Sequence, residues 1–340
     1  PLDAATQVVL ATWREFAWDP DKKKYRYHFA GASSTSAVLV LTADSAASEF
    51  AQDLDRAAQQ LGELIGKENL RKTYVAVVCA TKAEYERAVD FVAEHAIPIT
   101  QDPIQVEYLG GPWRESSKKS ATFFEPNLGV VGCMEGNSEK WSPQHEVIRG
   151  FAQIVVTGYA PLLANVLPIM VGISWNVEYD VTGEILSMPH VDEFQFDIGR
   201  GAWSTSKIGA SLKKIEKELK RSERRDLTIA DLPYLNRGDG STADAAAVGW
   251  AVARHLMRHH TEQMPDLLNA LSAEVIAANT ELHGDGSTTY ALPPGFQLGW
   301  EKVGAVLKAQ VPNFVFGDLV ACISGTCNTC KAYAAERGLR

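Results

Sequence analysis

Tyr74-Val75-Ala76-Val77-Val78-Cys79-Ala80-Thr81-Lys82-Ala83-Glu84 reads as a strand that hands over directly to a helix. Residues 74–79 form a continuous apolar run, the pattern of a strand covered on both faces. Thr81 and Glu84 then make a capping box, in which a hydroxyl and a carboxylate take up free amides at the start of a helix reaching about His95. A strand of this kind needs neighbours. Upstream, Ala37-Val38-Leu39-Val40-Leu41 is a second buried-type strand. After it, Phe50, Leu54, Ala57, Ala58, Leu61 and Leu64 recur at helical spacing between Ser45 and Ile65. Downstream, Ile104–Leu109, Ala121–Phe124 and Leu128–Cys133 read as three more strands, the last two joined by a Pro126-Asn127 turn. Thr6–Phe16 and Tyr25–Phe29 are rich in aromatic and β-branched residues and flank the turn-forming Asp19-Pro20-Asp21-Lys22. They predict a hairpin.

Beyond residue 135 the pattern becomes helical. Ser142-Pro143 starts a helix, proline occupying a position whose amide has no intrahelical partner. Further helices are predicted at Lys207–Arg221, Ala243–Arg258, Met264–Ala278 and Trp300–Ala309. The fold class is therefore α+β: an N-terminal mixed β-sheet with flanking helices over residues 1–135, followed by a mainly helical C-terminal half over residues 136–340.

The chain has 340 residues, 46% of them hydrophobic, which supports a folded core and excludes a disordered protein. A net charge of −9 gives no electrostatic support for nucleic-acid binding. Gly150–Asn176 carries no charged residue and is long enough to cross a bilayer, but Pro161, Pro168, Gly158 and Gly172 divide it into two short helices. No membrane span is expected. The first residue, Pro1, suggests a processed or trimmed start, and with it a periplasmic or extracellular location.

The helix opened by Ser142 carries His145-Glu146-Val147-Ile148-Arg149. In zinc peptidases His-Glu-x-x-His puts two imidazoles on one helical face to share a metal, with the Glu as general base. Arg149 stands at the second imidazole's position. A guanidinium has no lone pair to offer a metal. Together with the strand Val38–Ala43, the strand Tyr74–Cys79 with Thr81-Lys82-Ala83-Glu84-Tyr85, and Leu167-Pro168 opening a helix to Tyr179, this order of elements resembles the gluzincin, or peptidase-MA-like, zinc metallopeptidases. The likeness covers roughly residues 35 to 275 and extends to the later helix with Trp250 and His255. In that family the second helix reads Leu-Pro-x-Trp-Leu-x-Glu-Gly, its Glu being the third zinc ligand, whereas here Ile173 stands at that place. The resemblance thus implies a gluzincin-like fold whose site has lost two of three ligands. An active alternative would build the site from His145, Glu178 and a loop residue such as His190 or Asp192, with Glu146 as catalytic base.

Three other patterns carry chemistry. His255 and His259 lie one helical turn apart, with His260 adjacent, and could share a metal, although Arg258 would repel a cation. Cys322, Cys327 and Cys330 form Cys-x4-Cys-x2-Cys, whose last pair follows a predicted strand at Phe314–Val320, and are one ligand short of a zinc knuckle unless Cys133 or His283 completes it. In an oxidising compartment the same three would form a disulfide instead. Gly-Asp-Gly-Ser-Thr occurs at Gly238–Thr242 and Gly284–Thr288 as turn chemistry that could also bind phosphate.

The expectation is a degenerate gluzincin-like homologue, a non-catalytic binding or structural component. Its cleft, lined by His145, Glu146, Arg149 and Glu178, would take a peptide or protein partner, with no cofactor required. The alternatives are an active zinc metallopeptidase, and a subunit of a larger assembly using apolar surface near Trp113, Trp141 or Trp203.

Overall fold

The computed structural model describes residues 4–33, 37–43, 46–100, 103–134, 142–187, 243–283, 296–314, 316–323 and 326–337, with isolated positions at 213 and 217. These residues fall into two compact units, Pro1–Tyr159 and Ala160–Arg340. The architecture is mixed α+β, with its sheets in the N-terminal part and a helical C-terminal half.

The first unit is built on a five-stranded sheet of β3 (His28–Ser33), β4 (Ala37–Thr42), β5 (Thr73–Cys79), β6 (Thr122–Glu125) and β7 (Val130–Met134), in the order β3-β4-β5-β7-β6. The inner strands β4, β5 and β7 run parallel, while β3 and β6 pair antiparallel at the edges. Parallel strands need covering on both faces, which is why residues 74–79 are continuously apolar. Leu39, Leu41, Val75, Val77 and Cys79 share one core with α1 (Ala4–Ala17), α3 (Lys82–Ala96), α4 (Pro103–Gly110) and α5 (Pro112–Lys119). The opposite face packs against α2 (Ala47–Ile65) and α6 (Pro143–Tyr159), and Tyr74 meets Phe151 of α6 edge-on at 5.1 Å. Gly150 lets α6 lie close to β7, since a Cβ there would come within 2.6 Å of Val131 Cγ2. Thr81 caps α3 as its position predicts, its hydroxyl accepting from the Glu84 amide at 3.2 Å.

Three predicted strands are helices. Thr6–Phe16 lies in α1, where Trp13, Phe16 and Ala17, with Val9 and Leu10, form one apolar stripe against the sheet. Its β-branched composition yields to a 3.6-residue period. The only small hairpin there joins β1 (Trp18–Asp19) to β2 (Lys24–Tyr25). Ile104–Leu109 belongs to α4, opened by Pro103, and Phe314–Val320 largely to a helix of the second unit.

The second unit contains α7 (Leu167–Thr182), α8 (Ala243–His259), α9 (Met264–His283), α10 (Trp300–Gln310), α11 (Phe316–Ile323) and α12 (Asn328–Arg337). α7 and α8 are in close contact because both are small at the crossing. A Cβ on Gly172 would collide with the Gly249 carbonyl oxygen and with Ala253. Asn176 pins this crossing, donating to the Trp250 carbonyl at 2.9 Å. The apolar stretch 150–176 is interrupted between α6 and α7, and among the described residues no helix is long and apolar enough to cross a membrane. The predicted helix Lys207–Arg221 lies outside the continuously described residues, and the two Gly-Asp-Gly-Ser-Thr segments lie outside the described residues altogether.

Candidate metal centre

α6 carries His145, Glu146 and Arg149 as the sequence predicts, all three buried. Arg149 Nη2 donates to Glu146 Oε2 at 2.6 Å, and the two side chains are 1% and 2% exposed. The carboxylate that would serve a peptidase as base is thus neutralised by a permanent cation one helical turn on. Arg149 Nε and Nη1 have no hydrogen-bond partner among the described residues. Ile173, standing where the resemblance puts the third ligand, is fully buried and offers only hydrocarbon.

Glu178 has a structural task. Its Oε1 accepts the amides of Leu186 at 2.7 Å and Ser187 at 3.0 Å, and its other oxygen accepts the Ser187 hydroxyl. It fastens the chain that leaves α7. Glu178 belongs to the second unit and His145 to the first, while His190 and Asp192 lie outside the described residues. Trp113, expected at an interaction surface, is instead core: 7% exposed, with its indole N–H donating to the Phe124 carbonyl at 3.2 Å. Trp141 and Trp203 lie outside the described residues.

Metal-ligating chemistry gathers elsewhere. His259 ends α8, Cys322 lies on α11, Cys327 immediately precedes α12 and Cys330 lies in its first turn. His259 Nε2 stands 3.1 Å from Cys327 Sγ, 3.5 Å from Cys322 Sγ and 3.6 Å from Cys330 Sγ. Cys322 and Cys330 sulfurs are 3.4 Å apart, a non-bonded contact, and all five cysteines of the chain are thiols. The four ligand atoms lie within 4.8 Å of one another, and this group could hold a metal ion. The residue that joins the cysteines is therefore His259. Cys133 is instead buried on β7, its thiol directed at the Pro143 carbonyl, and His283 ends α9.

The surroundings suit thiolates. The hydrogen bond shared with Cys322 holds the Cys330 thiol well below the usual range, and hydrogen bonds with His259 and Cys327 and the charge of Arg258 act in the same direction. The shared proton and burial push Cys322 up. His255 stacks on His259 at 4.4 Å between centroids and places Nδ1 3.2 Å from Cys322 Sγ. Burial, ahead of the neighbouring His259 and His260, pushes the His255 ring down to about 3, so it is neutral at physiological pH. Arg258, which the sequence alone casts as repelling a cation, is held beside the cluster by a carbonyl and a carboxylate. Its Nη1 reaches the Cys330 carbonyl at 3.3 Å and its Nη2 the Asp180 carboxylate at 2.8 Å.

In the sequence the histidine pair and the cysteine triplet are separate patterns. The available signal was a histidine in the last turn of one helix and a Cys-x-x-Cys at the start of another, but their joining is a tertiary event. Compared with protein-family models and with curated proteins, the chain matches none.

Proposed function

We propose that this chain is a non-catalytic binding or structural component on a gluzincin-like scaffold, a pseudopeptidase whose partner is a peptide or protein. The observation that carries this reading is the buried Glu146–Arg149 ion pair, 2.6 Å between charged atoms. A metal-bound water needs a divalent cation beside the Glu, and here a guanidinium holds that carboxylate. A second cation at the same place would meet its repulsion. Glu178, already engaged with two backbone amides, weighs against the active alternative as well. On this reading the His145 helix holds no zinc.

Hydrolysis of fluorescein-labelled casein tests it. The expected result is no chelator-sensitive cleavage by the wild-type protein, at any added zinc level. Cleavage that chelator stops and Glu146→Gln abolishes would overturn the reading in favour of an active peptidase. Binding of the same labelled casein, followed by fluorescence anisotropy, separates the two remaining roles: binding without cleavage marks a peptide-binding component, and its absence a structural one.

A further inference from the structure

We propose that His259, Cys322, Cys327 and Cys330 form a closed mononuclear zinc site that fastens the two C-terminal helices, α11 and α12, to the end of α8. This inference is independent of any peptidase ancestry.

The distances suit one tetrahedral ion. Bonds of about 2.3 Å to sulfur and about 2.0–2.1 Å to imidazole nitrogen imply ligand–ligand edges of about 3.8 Å between sulfurs and about 3.6 Å between nitrogen and sulfur. The nitrogen–sulfur separations of 3.1, 3.5 and 3.6 Å and the Cys322–Cys330 sulfur–sulfur separation of 3.4 Å lie within about 0.5 Å of these edges, and no two of the four ligand atoms are more than 4.8 Å apart. Cys-x4-Cys-x2-Cys is also a spacing that iron–sulfur clusters use. Such a cluster, however, distributes its protein ligands over separate irons, whereas here one nitrogen is within 3.6 Å of all three sulfurs. A compact three-sulfur, one-nitrogen tetrahedron selects zinc. Four protein ligands leave no open position for water or substrate, so the site is structural.

Neighbouring groups support a metal–thiolate centre. The Cys330 amide lies 3.4 Å from Cys327 Sγ, so the start of α12 directs a backbone N–H at that sulfur. His255 Nδ1 is placed to donate to Cys322 Sγ at 3.2 Å, as an outer-shell group orients a ligand. Zinc with three thiolates and a neutral imidazole carries one net negative charge. Among the described residues, Arg254 and Arg258 share the one carboxylate of Asp180, which leaves one positive charge beside this centre. Loading zinc displaces the remaining thiol protons to solvent, and the imidazole binds through its lone pair.

The fold needs this fastening. α11 and α12 have 8 and 10 residues, too short to be stable alone. Among the described residues, the apolar cluster at their junction consists of the three cysteines with Ala321 packed against them. Metal–sulfur bonds would supply there what a larger hydrophobic core supplies elsewhere.

The test uses the full chain purified without chelator, with zinc, iron and acid-labile sulfide measured on one sample and the zinc shell read by X-ray absorption. About one zinc per chain is expected, bonded to three sulfurs and one nitrogen, without labile sulfide. Iron with labile sulfide, or a zinc shell lacking sulfur, would overturn the proposal. Because Cys327→Ser can unfold this end, His255→Gln provides a milder variant. It should retain stoichiometric zinc but bind it roughly 10-fold or more weakly in competition with a chromogenic chelator, as loss of an outer-shell partner predicts. Cobalt titration of the reduced wild-type protein gives a further readout. Intense sulfur-to-cobalt charge-transfer and tetrahedral d–d bands are expected, and absence of cobalt binding would sink the site. His145→Ala should leave zinc content unchanged, and loss of zinc in that variant would relocate the metal to α6.

Discussion

Arg149 illustrates how one side chain redirects a motif. A histidine at that position would complete a pair of imidazoles, while arginine makes a buried ion pair with Glu146. Removing one member of such a pair leaves the other's charge buried without its counter-ion, which is destabilising by about 3–5 kcal/mol. Arg149→Ala should therefore lower stability by about that amount in urea unfolding followed by tryptophan fluorescence. The double variant Glu146→Gln/Arg149→Met should recover most of the loss, because neither charge then remains. A single variant as stable as wild type would show that the pair contributes little. His145 and Glu178 are also legible as polar residues in apolar helices, but their tasks are not. Glu178 turns back onto residues 186 and 187, a contact between a helix and its own exit chain that no side-chain spacing specifies.

At the scale of the element, the α7–α8 crossing depends on what is missing from Gly172. Because a Cβ there meets backbone at Gly249 rather than a flexible side chain, the helices must separate to accept it. Gly172→Ala should destabilise the second unit by about 1–3 kcal/mol despite alanine's better helix propensity. Loss of near-UV circular dichroism from the adjacent Trp250, at a lower melting temperature, would register it; an unchanged melt would refute tight packing here. The Asn176 amide at the same crossing donates to Trp250 and to Gly172 of its own helix. Asn176→Ala should cost about 1–3 kcal/mol by withdrawing a donor from a buried carbonyl. By comparison the Thr81 cap is a local device at the start of α3. Thr81→Ala should cost only about 1 kcal/mol, measured by chemical denaturation, and Thr81→Ser should restore it.

For the whole molecule, the two units rest on different sources of stability. The first buries a sheet on both faces under large side chains such as Trp13, Tyr74, Tyr85 and Phe151. The second ends in two short helices around three sulfurs. Hydrogen exchange on the full chain, before and after metal removal by a strong chelator, should show this difference. Amides of residues 316–323 and 326–337 and the last turn of α8 should lose protection by an order of magnitude or more, while strands β4, β5 and β7 keep theirs. Uniform loss across both units, or none at the C-terminal helices, would contradict a local metal fastening.

Much of the architecture is written in local pattern. The apolar run 74–79 and the capping box after it mark a covered strand and the start of its helix, because burial on two faces and amide capping act over a few residues. The apolar recurrence from Phe50 to Leu64 marks α2 in the same way. Patterns decided by competing signals were less legible: residues 6–16 and 104–109 have strand-like composition, yet packing of one stripe against a core made them helical. The sequence by itself determined that His-Glu-x-x-Arg lacks a second metal-ligating side chain, since that follows from the chemistry of a guanidinium. It also determined that three cysteines lie close along the chain. Only the tertiary structure decided that His259, 63 residues before Cys322, meets them. The physical reason is that a tetrahedral ligand set is specified by directions in space, and the ends of separate helices acquire those directions only when the helices pack.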